Sequence, residues 1–309
     1  MKNPPFRLKA IPFGMQRKRE VASTTSLLGD LIHSGEFIIL VGARGVGKTH
    51  FGTKLSICIA GGLTMPALGK GTQKEVLYID GETGSFVMTS RSNDMCSVGV
   101  STPQQSQIDR NLLLSFKGGD EGESINADID TLEGQRQLEE LMDGKTWVLV
   151  LDNLCTLAPT TFRGRTAESC LYQWINKQKK LGVTVILIHH TNKNGQSFGG
   201  IEKENRADSI FSLNHHACST PQKKLIEFKV EKMRNRACEL ETTVFRLRSE
   251  QLGKKNALHF DVAEADDLIS PQLKEILLLK EQGLNQKQIS KELGFSQSMV
   301  CRLMKEVSA

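Results

Sequence analysis

The sequence predicts an α/β fold, with helices on both faces of a mostly parallel sheet, and a small all-α domain at the C-terminus. From Gly35 onward, short apolar β-rich runs alternate with amphipathic helical stretches. That alternation is typical of parallel sheets covered by helices. From Pro271 to the end the pattern is helical throughout. The two patterns together predict a large α/β domain followed by a small helical one.

Each element follows from its local pattern. Short apolar runs bounded by turn residues predict strands at 36–41, 75–80, 112–116, 147–152 and 183–189. Helical periodicity predicts helices at 48–60, 133–142 and 167–180. Later apolar runs without intervening helices predict a final antiparallel part of the sheet, at 208–213, 225–231 and 243–247. The segment 118–130 is rich in Gly, Asp and Glu and is expected to be a solvated loop.

Composition shifts divide the chain into four segments. Residues 1–25 are basic, contain prolines and lack periodicity, so they are expected to form an N-terminal arm. Residues 26–250 contain the alternating pattern of the α/β domain. Residues 251–270 are polar and aperiodic, which predicts a linker, and Pro271 opens the helical domain at 271–309.

Composition also limits the class of protein. The net charge of +5 over 309 residues suits contact with nucleic acid without requiring it. The seven cysteines are scattered and never spaced as C-x-x-C, which favours neither disulfides nor zinc. No run approaches the ~18 apolar residues that span a bilayer. We therefore expect a protein of the cytoplasm that makes no membrane contact.

A glycine-rich run follows the first buried strand and opens a helix. Its glycines allow backbone N–H groups to wrap an anion, and the helix N-terminus favours negative charge. This pattern predicts a nucleoside triphosphate site, in which Lys48 contacts the β- and γ-phosphates and the Thr49 hydroxyl binds Mg²⁺. The predicted nucleotide-binding residues are Gly42, Ala43, Arg44, Gly45, Val46, Gly47, Lys48, Thr49 and His50.

Carboxylates follow two other apolar strands. Asp152 ends the strand at 147–152, which predicts a second ligand for Mg²⁺ or its water. Glu82 comes just after the strand that ends at Asp80, where a carboxylate can orient or deprotonate the attacking water. Glu82 is the candidate base, with Asp80 as the competing residue.

Polar and basic residues end two further strands. His189 and His190 can contact the γ-phosphate and report its loss, or alternatively bind a metal. Period-two alternation places Lys232 and Arg234 on the face of Ile226, Phe228 and Val230, beyond the end of the apolar part. There they can act as trans-acting fingers on a neighbour's γ-phosphate, or form a solvated basic hairpin.

The order of these motifs resembles RecA-like ATPases of the hexameric replicative helicase type, especially plasmid RepA helicases, over about residues 25–250. The resemblance implies a RecA-like fold, ATP and Mg²⁺ at a subunit interface of a hexamer, and Glu82 as the catalytic base. It also implies that the histidine pair is the sensor and that Lys232 and Arg234 are the trans fingers.

The C-terminal segment predicts three short helices, 271–282, 285–293 and 296–307. Ser290 at a helix crossing and Gly294 in the turn fit a helix-turn-helix, which would bind duplex DNA or, alternatively, a protein. Side chains suited to bases or phosphates on its last helix are Gln297, Ser298, Arg302 and Lys305.

These observations predict an ATP-hydrolysing, oligomeric DNA motor, helicase-like and from a plasmid, phage or integrated element. Loops at the carboxyl ends of the strands are expected to carry the single-stranded DNA contacts, with Arg163, Arg165 and Lys193 as candidates. The alternatives are an ATP-controlled DNA-binding regulator or recombination mediator without unwinding activity, and an ATP-dependent scaffold for protein partners.

Overall fold

The computed structural model of the chain describes residues 24–118, 124–162, 168–191, 205–220, 223–237, 240, 242–253 and 255–306. The strands are β1 (Ser26–Leu28), β2 (Ile32–His33), β3 (Phe37–Gly42), β4 (Thr64–Met65), β5 (Gly69–Lys70), β6 (Val76–Asp80), β7 (Leu112–Lys117), β8 (Ser124–Ile125), β9 (Val148–Asp152), β10 (Thr184–His190), β11 (Ser209–His215), β12 (Lys224–Met233), β13 (Thr243–Leu252) and β14 (Lys255–Val262). The helices are α1 (Lys48–Gly61), α2 (Ser85–Cys96), α3 (Thr102–Asn111), α4 (Leu132–Met142), α5 (Leu154–Leu157), α6 (Pro159–Phe162), α7 (Glu168–Lys180), α8 (Pro271–Glu281), α9 (Gln286–Leu293) and α10 (Gln297–Glu306), with a 3₁₀ turn at Ala265–Leu268.

Within the described residues, one ten-stranded sheet has the order β14-β13-β12-β11-β3-β10-β9-β6-β7-β8. Seven neighbouring strands pair in parallel, in the order β11, β3, β10, β9, β6, β7 and β8. At one side of the sheet, β11, β12, β13 and β14 form an antiparallel meander. The central strands β3, β6 and β9 are buried along their whole length, because helices cover both faces and the strands can be continuously apolar. The predicted fold class is confirmed.

Two apolar layers hold the sheet between its helices. On one face α1 packs against the antiparallel strands, where the ring of Phe51 stacks on that of Phe228 at a centroid distance of 5.2 Å. On the other face α4 and α7 cover the parallel strands, and Tyr172 meets Phe37 edge to face. Because α1 begins at Lys48, the packing of Phe51 fixes the start of this helix relative to the sheet.

Three parts of the sequence-based prediction need correction. Residues 255–262 lie in the predicted linker, but they form β14 and pair with β13 in the sheet. Ser124–Ile125 pairs with β7 inside the predicted loop. Helices α2 and α3 were not predicted, because they bury few side chains, Met88 and Met95 in α2 and Ile108 in α3, and so show little apolar periodicity.

The three predicted C-terminal helices are present. They enclose a small core of their own, made by Leu273, Ile276, Ile289, Val300 and Leu303. Gly294 ends α9 with a φ of 65°, a conformation that favours glycine, and the Ser290 hydroxyl donates to the Phe295 carbonyl in the turn, at 2.6 Å. Among the described helices, none is both long enough and apolar enough to cross a membrane.

Candidate nucleotide site

The sheet brings the predicted site residues to one edge. In the strand register Gly42 of β3 lies opposite His190 of β10, and Asp152 of β9 lies opposite Asp80 of β6. Strands β10 and β9 are direct neighbours, with Ile188 opposite Asp152. Since these strands are parallel, their carboxyl ends share the edge where open α/β sheets bind ligands.

The glycine-rich run forms a tight loop between β3 and α1. Gly45 and Gly47 have φ values of 76° and 111°, in the region that side chains other than glycine rarely adopt. A Cβ atom on Gly47 would also lie 2.7 Å from Cδ1 of Ile226 on β12. Both glycines are therefore required by the loop and its packing, as expected for a phosphate cradle.

Lys48 is buried inside this loop, with an exposed fraction of 5%. Its ammonium donates to the carbonyl oxygens of Gly42, at 2.9 Å, and Ala43, at 2.8 Å. Burial lowers the pKa of Lys48 to about 8, although the charges of Asp152 and Glu82 act in the opposite direction. A phosphate group in the loop would supply the charge that this buried ammonium lacks.

The two predicted magnesium ligands lie side by side. Burial raises the pKa of Asp152 to about 6, while hydrogen bonds from Tyr78 and Thr49 favour its ionised form. The Tyr78 hydroxyl donates to Oδ2 of Asp152 at 2.7 Å. Within the described ranges no group of three or more His, Cys, Asp or Glu side chains is placed to hold a metal. Thr49 and Asp152 fit Mg²⁺ nonetheless, because this ion takes its other ligands from phosphates and water.

The geometry distinguishes the two candidate bases. Oδ1 of Asp80 accepts the backbone N–H groups of Glu82 at 2.8 Å and Thr83 at 2.9 Å, so Asp80 organises the turn. The Glu82 side chain is 61% exposed at the edge, and its Oε2 accepts from Nδ2 of Asn153 at 2.5 Å. Glu82 is therefore the carboxylate with access to a water.

The histidine pair divides between core and edge. His189 is buried, whereas Nε2 of His190 lies 3.2 Å from Nδ2 of Asn153 and 3.8 Å from Oε2 of Glu82. Burial, followed by the charge of Lys48, lowers the pKa of His190, so the ring is neutral at pH 7. Asn153, which the sequence reading did not select, links the candidate base to the candidate sensor.

The candidate fingers lie at the opposite edge of the sheet, where the parallel strands begin. Met233 pairs with Ser209, and Ser209 also lies opposite Ile38 near the start of β3, whereas the glycine-rich loop follows the end of β3. Arg234 is exposed, and its Nη2 donates to the Asn205 carbonyl at 2.6 Å. Neither Lys232 nor Arg234 therefore faces the glycine-rich loop of its own chain.

The predicted face of Lys232 is wrong. Val230 pairs with Phe211 and Lys232 with the adjacent Ile210, so β12 carries one extra residue, Glu231, as a bulge between these two pairs. Phe211 belongs to one core layer and Ile210 to the other. The inserted residue thus moves Lys232 to the face opposite Val230.

Two basic residues near the glycine-rich loop were missed as well. Lys224 begins β12, and its ammonium donates to the Gly45 carbonyl. Arg91 lies on α2. Burial, followed by the charge of Arg91, lowers the pKa values of Lys224 and His50. Neither residue belongs to a local motif, so the sequence offers no signal for them.

The candidate nucleic-acid residues are only partly covered by the structure. Gln297, Ser298 and Arg302 are exposed on α10, and the backbone of Lys305 continues the same helix. Arg163, Arg165 and Lys193 lie outside the described residues.

The glycine-rich loop, the buried lysine and the aspartate on a neighbouring strand, at the edge of this sheet, define a P-loop ATPase of RecA-like fold. The family described as AAA domain matches residues 2–196, and the chain belongs to that family. Among solved structures the chain is similar to a KaiC-like protein from the hyperthermophilic archaeon Pyrococcus horikoshii OT3, with 14% identity, 74% of this chain and 91% of that chain covered, and a TM-score of 0.48. No curated protein matches the chain.

Proposed function

We propose that this protein is an ATP-hydrolysing, oligomeric DNA motor, most similar in design to replicative helicases of mobile elements. The observation that carries the hydrolytic part is the placement of Glu82, exposed at the edge and bonded to Asn153 next to His190. Lys48, Thr49 and Asp152 lie at the same edge. A carboxylate beside a phosphate cradle is the arrangement that nucleotide hydrolysis needs.

Each residue has a separate task in this proposal. Lys48 and the loop N–H groups hold the phosphates, and Thr49 and Asp152 hold Mg²⁺, which neutralises phosphate charge when bound. Glu82 orients a water and accepts its proton. Asn153 fixes the Glu82 carboxylate and joins it to His190, so a change at the γ-phosphate can reach β10 through one hydrogen-bonded chain.

The oligomeric part rests on the separation between Arg234 and the chain's own nucleotide edge. An exposed arginine at the other edge can contact phosphate only in a neighbouring subunit, as a trans finger does. We extend this role to Lys232, and we assign a hexamer because the resemblance to ring helicases implies it.

The DNA-binding part rests on the C-terminal helices. The exposed Gln297, Ser298 and Arg302 share α10, as a recognition helix requires for duplex contact. Arg163, Arg165 and Lys193 are proposed to contact single-stranded DNA, and Lys305 a phosphate of the duplex.

The proposal is tested by ATP hydrolysis and by unwinding of forked DNA. We expect Mg²⁺-dependent hydrolysis that single-stranded DNA stimulates, less so as salt rises, because phosphate contacts release counterions. Hydrolysis and DNA binding without unwinding would favour the regulator, and no DNA binding at low salt would favour the protein scaffold.

A mixing experiment tests the trans assignment. Lys48→Ala and Arg234→Ala should each be inactive, but a mixture should regain part of the hydrolysis. Mixed rings contain interfaces where an intact P-loop meets an intact Arg234. Lack of recovery in proteins that demonstrably assemble together would refute the trans role.

A further inference from the structure

The hairpin between β11 and β12 turns at the nucleotide edge. Near the end of β11, Leu213 lies opposite Gly42, with which β3 ends beside the P-loop. The chain then turns through residues 216–220 and Lys223, which we call the hairpin tip, and returns as β12 from Lys224. The hairpin tip therefore lies at the same edge of the sheet as the P-loop.

The start of β12 is packed against the P-loop. The Lys224 ammonium donates to the Gly45 carbonyl, and Cε of Lys224 lies 3.8 Å from the position that a Cβ on Gly47 would occupy. Cδ1 of Ile226, a fully buried residue, lies only 2.7 Å from that position. Closely packed groups transmit strain, because no void absorbs it. A ligand that orders the P-loop therefore also restrains the start of β12.

The hairpin tip also holds the linker that leads to the C-terminal helical domain. In the 3₁₀ turn Ala265–Leu268, here called the linker turn, the Asp267 carbonyl accepts from Nζ of Lys223 at 3.1 Å. The same Nζ lies 3.3 Å from Oδ1 of Asp267. Oδ2 of Asp267 accepts from Arg246 of β13 at 2.8 Å, and Asp267 is only 8% exposed. Asp267 thus fixes the linker turn to the sheet.

The linker turn leads into the helical domain without spare length. Sγ of Cys218 in the hairpin tip donates to the Leu268 carbonyl at 2.9 Å, and the next residue, Ile269, packs against the core of the helical domain. Lys223, which contacts the linker turn, directly precedes Lys224, which contacts the P-loop. The hairpin tip therefore connects the P-loop to the helical domain through a short, continuous set of contacts.

We propose that the hairpin tip couples the P-loop to the C-terminal helical domain, so that bound nucleotide holds the linker turn more firmly on the sheet. This inference rests on the proposed ATP site and adds to it the control of a second domain. Once a ligand has ordered the start of β12, the contact of Lys223 with Asp267 forms at a lower cost in conformational entropy. The occupancy of the nucleotide site thereby sets how firmly the candidate helix-turn-helix is held.

The test measures backbone hydrogen exchange of the full chain by mass spectrometry, with and without ADP, which occupies the site without turnover. The linker turn is a suitable reporter, because the Asp267 N–H donates to the Glu264 carbonyl at 2.9 Å. In the wild type, ADP should slow exchange in the linker turn about tenfold. Lys223→Gln and Asp267→Asn should abolish this effect, while ADP still protects the P-loop. Asp266→Asn is the matched control and should match the wild type, since Asp266 lies in the same turn but its side chain is 86% exposed.

The inference is wrong if ADP protects the P-loop but not the linker turn of the wild type, or if Lys223→Gln responds to ADP as the wild type does. It is also wrong if the linker turn is protected only at concentrations where the protein self-associates, which would assign the effect to a second copy. If Asp267→Asn fails to fold, Lys223→Gln decides, since the Lys223 side chain is 28% exposed and its loss leaves Arg246 bound to Asp267. A wild-type protein that binds neither ADP nor ATP would instead refute the proposed function.

Discussion

The two edges of the sheet differ in how their charged side chains are partnered. At the edge opposite the P-loop, Arg236 donates to the carbonyls of Asp30 and Leu31, both at 2.6 Å, and to the buried carboxylate of Glu36. Asp208 at the same edge accepts the Phe37 N–H at 2.8 Å and pairs with Lys179 at 2.5 Å. These charges are nearly fully partnered.

At the nucleotide edge, burial disfavours the charged forms of two side chains. Burial raises the pKa of Asp152 to about 6 and lowers that of Lys48 to about 8. Partnered charges at one edge stabilise the fold, whereas strained charges at the other are what ligand binding and catalysis use. Substitutions at the edge opposite the P-loop should therefore change stability, whereas substitutions at the nucleotide edge should change ligand binding and catalysis.

The largest expected effect is the loss of turnover in Glu82→Gln. Removal of the proposed general base should lower kcat by about 10²- to 10⁴-fold, while ATP still binds, because the amide keeps the shape of the side chain. Phosphate release and nucleotide binding measure the two properties, with Glu140→Gln on the exposed face of α4 as control. Near wild-type turnover would show that another residue is the base, and Asp80 would then be the next candidate.

The second effect tests the other edge through Arg236→Ala. Its removal leaves the carboxylate of Glu36 buried without this partner, so the free energy of unfolding should fall by about 3 kcal/mol. Urea denaturation measures it. Arg234→Ala is the matched control, since Arg234 is exposed and should change stability little. Equal losses of stability in the two variants would contradict the distinction between the structural Arg236 and the proposed finger Arg234.

A smaller effect is expected from Tyr78→Phe. Loss of the hydroxyl that donates to the Asp152 carboxylate removes about 2 kcal/mol of support for its charged form. The pKa of Asp152 should rise, so the low-pH limit of hydrolysis should move to higher pH and half-maximal activity should need more Mg²⁺. Activity measured against pH and Mg²⁺ checks this, with Tyr172→Phe in the other core layer as control. An unchanged Mg²⁺ requirement would remove Tyr78 from the site.

The smallest expected effect concerns Cys58, a fully buried residue of α1. Burial raises the pKa of its thiol to about 11, so folding favours the protonated form. The stability that this thiol contributes is complete below the ordinary thiol pKa and decreases as pH rises toward 11. Alkylation at about pH 9 should be slow in native protein and fast in urea, as mapped by mass spectrometry. Fast labelling of native protein would show that this core is open.

The fold class and the nucleotide loop could be predicted from local patterns of amino acids. The apolar strands that end in Gly42, Asp80, Asp152 and His190 could be recognised one at a time, because burial of a parallel strand and chemistry at its tip are both local patterns. The three C-terminal helices could also be placed from the sequence, since each has an N-terminal capping residue, Ser270, Asn285 and Ser296.

Contacts between residues far apart in the chain could not be predicted, because they depend on how the elements pack. The contact of Lys224 with Gly45 joins positions far apart in the chain, and the approach of Arg91 depends on how α2 packs. The bulge that moves Lys232 and the extension of the sheet by β14 depend on strand pairing, which a single sequence specifies weakly. Pairing energy is shared between partners, so neither strand alone carries the information that sets the register.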